Sequence, residues 1–183
     1  MALLPGLKNV RKLTIAALLV ALGVLVGFFK LPISDILEIR FTSIPLVVAG
    51  AFLGPGIAAV IGALSDIGGY MLMPTGPYFP GFTVSGAISG IIYGLLLHQK
   101  GSAKISIKRI LIAVVINTIF VNMILNSLWL SIMYGKGGFI ATVSARIVKE
   151  LVMIPVNFIL ITAVLKPISQ LMNRQDLSQE GME

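Results

Sequence analysis

Arg146, Lys149 and Glu150 fall within one arc of a long apolar run when successive residues are advanced by about 100°, and Asn157 extends the same arc. A charged group near the centre of a bilayer costs on the order of a few kcal/mol, so side chains of this kind point into a bundle interior or a cavity. Spaced four apart, Arg146 and Glu150 can neutralise one another as an ion pair. Lys149 has no obvious second acid on its own helix, which points to an anionic ligand. On the preceding apolar run Asn122, Asn126 and Trp129 recur at i, i+4 and i+7 and so share a face. The two carboxamides offer paired donors and acceptors. Trp129 reads first as an interfacial anchor and second as a stacking platform.

A second candidate region is residues 62–94, GALSDIGGYMLMPTGPYFPGFTVSGAISGIIYG, in which Asp66 is the one ionised residue. Pro74, Pro77 and Pro80 each remove a backbone donor and bias the preceding residue away from helix. Residues 73–81 are therefore expected as an ordered, non-helical connection between two helices, either a binding loop or lid, or a stiff turn whose Tyr78 and Phe79 sit in an aromatic belt. Asp66, Tyr78, Phe79, Phe82 and, from the charged segment 30–40, Arg40 join the candidate ligand contacts.

The elements that must position these residues follow from composition. Of 183 residues 57% are hydrophobic and 11% charged, and the mean hydropathy is +1.00. That departs far from soluble averages, and a membrane protein follows. A span needs roughly 20 apolar residues. Six are expected, over 13–29, 41–53, 57–73, 81–98, 110–132 and 140–165, giving an all-α, six-transmembrane-helix bundle. The run 13–29 is longer than the core of a secretory signal and lacks a small-residue cleavage site, so it is expected to be retained. Residues 30–40, with four charges and a proline, should leave the hydrocarbon as a short amphipathic turn. A single integral membrane domain is expected over 1–183, with a polar tail losing structure from about 175 to 183.

The net charge of +7 does not indicate nucleic acid, because the charges cluster in loops. Lys8, Arg11, Lys12, Lys100, Lys104, Lys108, Arg109, Lys166 and Arg174 share one face, while Lys30, Arg40 and Lys136 lie opposite, so the positive-inside bias puts both termini in the cytoplasm. There is no cysteine, hence no disulfide or thiolate chemistry. No phosphate-cradling Gly-x-x-x-x-Gly-Lys motif and no His-Glu-x-x-His metal motif occurs, and His98, the one histidine, falls at a helix end. Neither an enzyme nor a bound metal or cofactor is expected. Small residues recur at spacing four: Ala17 and Ala21, Gly50 and Gly54, and Gly86, Gly90 and Gly94. Such stripes let helix backbones approach closely. The glycine sets read as packing within the bundle, and Ala17 and Ala21 equally as a face for another protein.

The runs Gly50-Ala51-Phe52-Leu53-Gly54-Pro55-Gly56, Gly62-Ala63-Leu64-Ser65-Asp66 and Pro74-Thr75-Gly76-Pro77-Tyr78-Phe79-Pro80-Gly81-Phe82-Thr83 resemble the substrate-binding S component of energy-coupling factor (ECF) vitamin transporters, within them the folate-specific members. The Pro-Tyr-Phe-Pro-Gly-Phe-Thr string is the specific part, and the likeness covers nearly the whole chain. The resemblance implies a cell-membrane bundle that captures folate or a related vitamin near its external face. It also implies that an Ala-x-x-x-Ala motif, matched by Ala17 and Ala21, docks a transmembrane coupling protein, and that two cytoplasmic ATPases supply the energy. The rival readings are an S component for another vitamin, such as pantothenate or riboflavin, and a structural membrane protein without a ligand. A neutral ligand would leave Arg146 and Lys149 without purpose.

Overall fold

Apolar runs that meet lipid must satisfy their backbone polar groups internally, and helices do so within one segment. The computed structural model describes residues 10–28, 30–32, 38–74, 76–98, 105–134 and 138–180. Its helices are α1 (Val10–Phe28), α2 (Ser43–Leu53), α3 (Pro55–Leu72), α4 (Pro80–Leu97), α5 (Ile107–Ile116), α6 (Asn126–Tyr134) and α7 (Gly138–Glu180). A π-helical segment, Asn117–Leu125, joins α5 to α6, so the three form one rod. Val10–Phe28, Pro55–Leu72, Pro80–Leu97, Ile107–Met133 and Thr142–Gln170 are each long and apolar enough to cross a membrane. The chain is a polytopic, all-helical membrane protein.

The second member of the expected bundle is short. With 11 residues α2 reaches about 16 Å, half of the roughly 30 Å of hydrocarbon. Ahead of it, the turn expected at 30–40 is corrected to an antiparallel pair, β1 (Lys30–Pro32) and β2 (Glu38–Arg40), with Lys30 opposite Arg40 and Pro32 opposite Glu38. Pairing gives these backbone groups partners that a lone turn would lack. At the other end of the chain, the tail expected to lose structure is helical through Glu180. No glycine or proline falls between Ile168 and Glu180 to stop it. Residues 181–183, and with them Lys8, Lys100, Lys104 and Lys136, lie outside the described residues.

Glycine stripes bring α2, α3 and α4 together, as their spacing predicts. A Cβ on Gly86 would lie 2.8 Å from the Gly62 carbonyl oxygen, and one on Gly50 would lie 2.8 Å from the backbone nitrogen of Gly94. Gly90 meets the Ala58 backbone and Gly94 meets Pro55 in the same way. The corner between α2 and α3 is Gly54, at φ 86°, a conformation that L side chains rarely adopt, and Pro55 then opens α3.

His98 closes α4 with Nδ1 3.1 Å from the Ala51 carbonyl, so the end of α4 lies beside this corner. Ala16 and Leu19 of α1 share a core with Ile57 and Ala58, and Leu97, Ile110 and Leu165 share another. Arg11, Lys12, Lys108, Arg109 and Lys166 therefore gather at the corner end of the bundle. Gly23 packs on Ser65 and Gly68 on Val24, so α1 and α3 run in the same direction. The β pair and residues 73–79 accordingly lie at the opposite end, which α6 reaches and from which α7 starts.

Candidate ligand-binding site

Polar side chains accumulate at that opposite end, while the corner end is closed by apolar packing of Val47, Tyr93, Leu97, Val114 and Ile161. On α7, Arg146 Nη2 stands 3.5 Å from Glu150 Oε1. Glu150 is only 5% exposed. Lys149 and Asn122 lie beside the same carboxylate. Lys149 shares Glu150 with Arg146, one residue from the acid in sequence and less than a turn away. Two cations and one carboxylate make up this cluster.

The carboxamides continue it onto the neighbouring rod. Asn126 Nδ2 donates to Asn122 Oδ1 at 3.5 Å, a long contact, and Asn126 Oδ1 is buried without a protein partner. An unpaired buried acceptor costs free energy unless a donor reaches it. Asn122 belongs to the π-helical segment and Asn126 opens α6, so the change of helix type falls between the residues of the pair.

Trp129, one turn further along α6, faces α4. Its Nε1–H donates to Ser85 Oγ at 3.0 Å, and its ring lies 5.7 Å from that of Phe79 at 47°. Gly81 makes room for both rings: a Cβ there would come 2.6 Å from Trp129 Cδ2 and would also strike Phe79. Phe82 packs edge-on to Phe79 at 6.1 Å. The anchor reading of Trp129 is corrected, because the indole N–H finds its partner inside the protein rather than at a headgroup.

On the other side of α4, Thr83 Oγ1 donates to Asp66 Oδ2 at 2.7 Å and meets Tyr78 Oη at 2.8 Å. Tyr70 packs on Tyr78 with the rings tilted at 53° and 5.0 Å apart, and its hydroxyl donates to the Gly76 carbonyl at 3.0 Å. Residues 73–79 contain no regular helix among those described, and α4 starts at Pro80. The loop is tied to both flanking helices by these contacts. Asp66 faces this α3–α4 seam, whereas Trp129 meets α4 from the other side and Glu150 of α7 faces Asn122 of the α5–α6 rod. Arg40 ends β2 at the same end of the bundle. Ala17 and Ala21 are exposed on α1.

Sequence reasoning missed Ser85, Thr83 and Tyr70. Ser85 carried one signal, since it stands four residues after Gly81 and four before Ser89 in a stripe of small residues, and both serines are buried. The apolar cleft between α2 and α7, lined by Ile44, Val47, Val48, Ile161, Val164 and Leu165, offers no side-chain hydrogen-bonding group.

These features define a class: a helical membrane bundle, apolar at one end and with its polar and aromatic side chains converging at the other. Residues 11–165 match the family model of the "ECF transporter, substrate-specific component", and the chain belongs to that family. A protein of Clostridium novyi (strain NT) named "Folate transporter FolT" is 37% identical over 165 residues, which cover 90% of this chain and 94% of the relative. One of Leuconostoc mesenteroides with the same name is 28% identical over 153 residues, 81% of each chain. The fold is also similar to a crystal structure of FolT bound with folic acid, with a TM-score of 0.75 and 31% identity over 86% of this chain and 93% of that one.

Proposed function

We propose that this chain is the folate-capturing subunit of an ATP-driven ECF-type importer of the cell membrane, and not itself an enzyme. The observation that carries the reading is the convergence at one end of the bundle of an aromatic wall, two carboxamides and a cation-rich cluster. Folate asks for those three things: a flat heteroaromatic ring to stack, a ring edge of donors and acceptors, and carboxylates to neutralise. Trp129 and Phe79 supply the stacking wall, with Phe82 behind Phe79. Asn122, Asn126 and Glu150 read the pterin edge, where the unpaired Asn126 Oδ1 takes an N–H. Arg146 presents a planar guanidinium suited to a bidentate clamp on the glutamate carboxylate, and Lys149 adds a point charge. Asp66 and Tyr78 set the rim on the α3 side, and the β pair with Arg40 covers the site from the α2 side. The resemblance to FolT proteins supports the same ligand.

The loop end faces outward and the basic corner end faces the cytoplasm, with both termini, by the positive-inside bias. A transmembrane coupling protein docks on Ala17 and Ala21, and two cytoplasmic ATPases drive the cycle. Because Trp129 is the only tryptophan, its fluorescence reports on the site. Folic acid titrated into the purified protein should quench this emission saturably, with matching heat by calorimetry. Neither signal at micromolar ligand would sink the proposal.

A further inference from the structure

The indole of Trp129 is held by more than packing. Its N–H donates at 3.0 Å to the hydroxyl of Ser85, and Ser85 is itself only 4% exposed, so no bulk water competes for that hydroxyl. Across the ring, Gly81 lies one helical turn before Ser85, on the same face of α4, and presents bare backbone where any side chain would collide with the indole and with Phe79. The ring is thus fixed at its nitrogen by one residue and seated by the other. A partly buried aromatic with two rotatable bonds would otherwise sample several orientations, and a ligand would have to select one of them.

We infer that Ser85 is a positioning residue for substrate binding: by accepting the Trp129 N–H it holds the indole in the orientation against which a flat ring stacks. The inference rests on the folate reading above for the identity of the stacked ring. Ser85 need not touch the ligand, and its effect passes through Trp129. Loss of one neutral hydrogen bond of this kind corresponds to about a fivefold change in affinity.

The experiment is a double-substitution cycle on the full chain in detergent, with folic acid affinity measured by calorimetry for wild type, Ser85→Ala, Trp129→Phe and the combination. Trp129→Phe keeps an aromatic face and removes the N–H. Ser85→Ala should weaken binding about fivefold in the wild-type background and have no further effect beside Trp129→Phe. An equal loss in both backgrounds, or no loss in wild type, overturns the inference. A second measurement needs no variant: ultraviolet resonance Raman of the unliganded protein reads the hydrogen bonding of its single indole N–H. A hydrogen-bonded band supports the assignment, and a free N–H overturns it even if Ser85→Ala fails to fold. Should wild type show no heat with folic acid, the vitamin reading fails separately, and the Raman band still decides whether Ser85 holds the indole.

Discussion

A guanidinium inside a membrane bundle persists only where its charge is answered, and Arg146 is answered first by Glu150, one turn away. If the pair existed only to neutralise itself, removing Arg146 would disturb stability and leave ligand preference alone. As the proposed carboxylate clamp it would act on one part of the ligand. Arg146→Ala should therefore weaken folic acid by roughly tenfold to a hundredfold, in line with a lost charge-assisted hydrogen bond, and leave a pterin without the glutamate tail nearly unchanged. Calorimetry with the two ligands decides it, and equal losses for both would remove the clamp. The charged cluster was legible in the sequence because the spacing of 146, 149 and 150 survives any bend in the helix. Ser85 was not, because a serine among glycines looks like one more small packing residue, and only the approach of Trp129 from a distant helix gives it a task.

At the scale of the elements, α1 presents a lipid-like outer surface. Leu18 is 60% exposed, Leu22 48% and Leu25 54%, while Ala16, Leu19 and Gly23 face inward. Ala17 and Ala21 lie on the outer side, one turn apart, where they make a shallow strip among larger side chains. A strip of that kind adds nothing to the packing of this chain. Ala17→Trp should accordingly leave folic acid binding to the isolated subunit within about twofold and abolish co-purification with the coupling protein. Parallel loss of both would assign the strip to internal packing instead. Helix positions were legible from apolar length and the Pro-Gly punctuation, and the glycine stripes of α2 and α4 were legible as packing faces, though not that α3 is what the α4 stripe meets. The β pair was not, because strands of three residues leave no alternation to read. Nor was the π-helical segment, since Asn117–Leu125 has no residue type that marks it.

At the scale of the whole molecule, polarity is divided between the two ends. Arg11, Lys12, Lys108, Arg109 and Lys166 mark the corner end, and the proposed ligand groups mark the other. The chain has no cysteine, so single introduced thiols report orientation directly. An impermeant maleimide added to intact cells should label Met73→Cys, which lies exposed after α3, and spare Lys108→Cys at the start of α5. The reverse pattern would invert the proposed topology. Between these two ends runs the contact of α3 with α4, where Gly62 meets Gly86, Ala58 meets Gly90 and Pro55 meets Gly94. Most helix interfaces rearrange by letting side chains swap rotamers and slide past one another. Here backbone rests on backbone, with no torsions in between to turn. The two helices behave mechanically as one stiff plank, and whatever movement admits or releases a ligand must be taken up by the parts hung on it: the β pair, α1, and the long rods α5–α6 and α7.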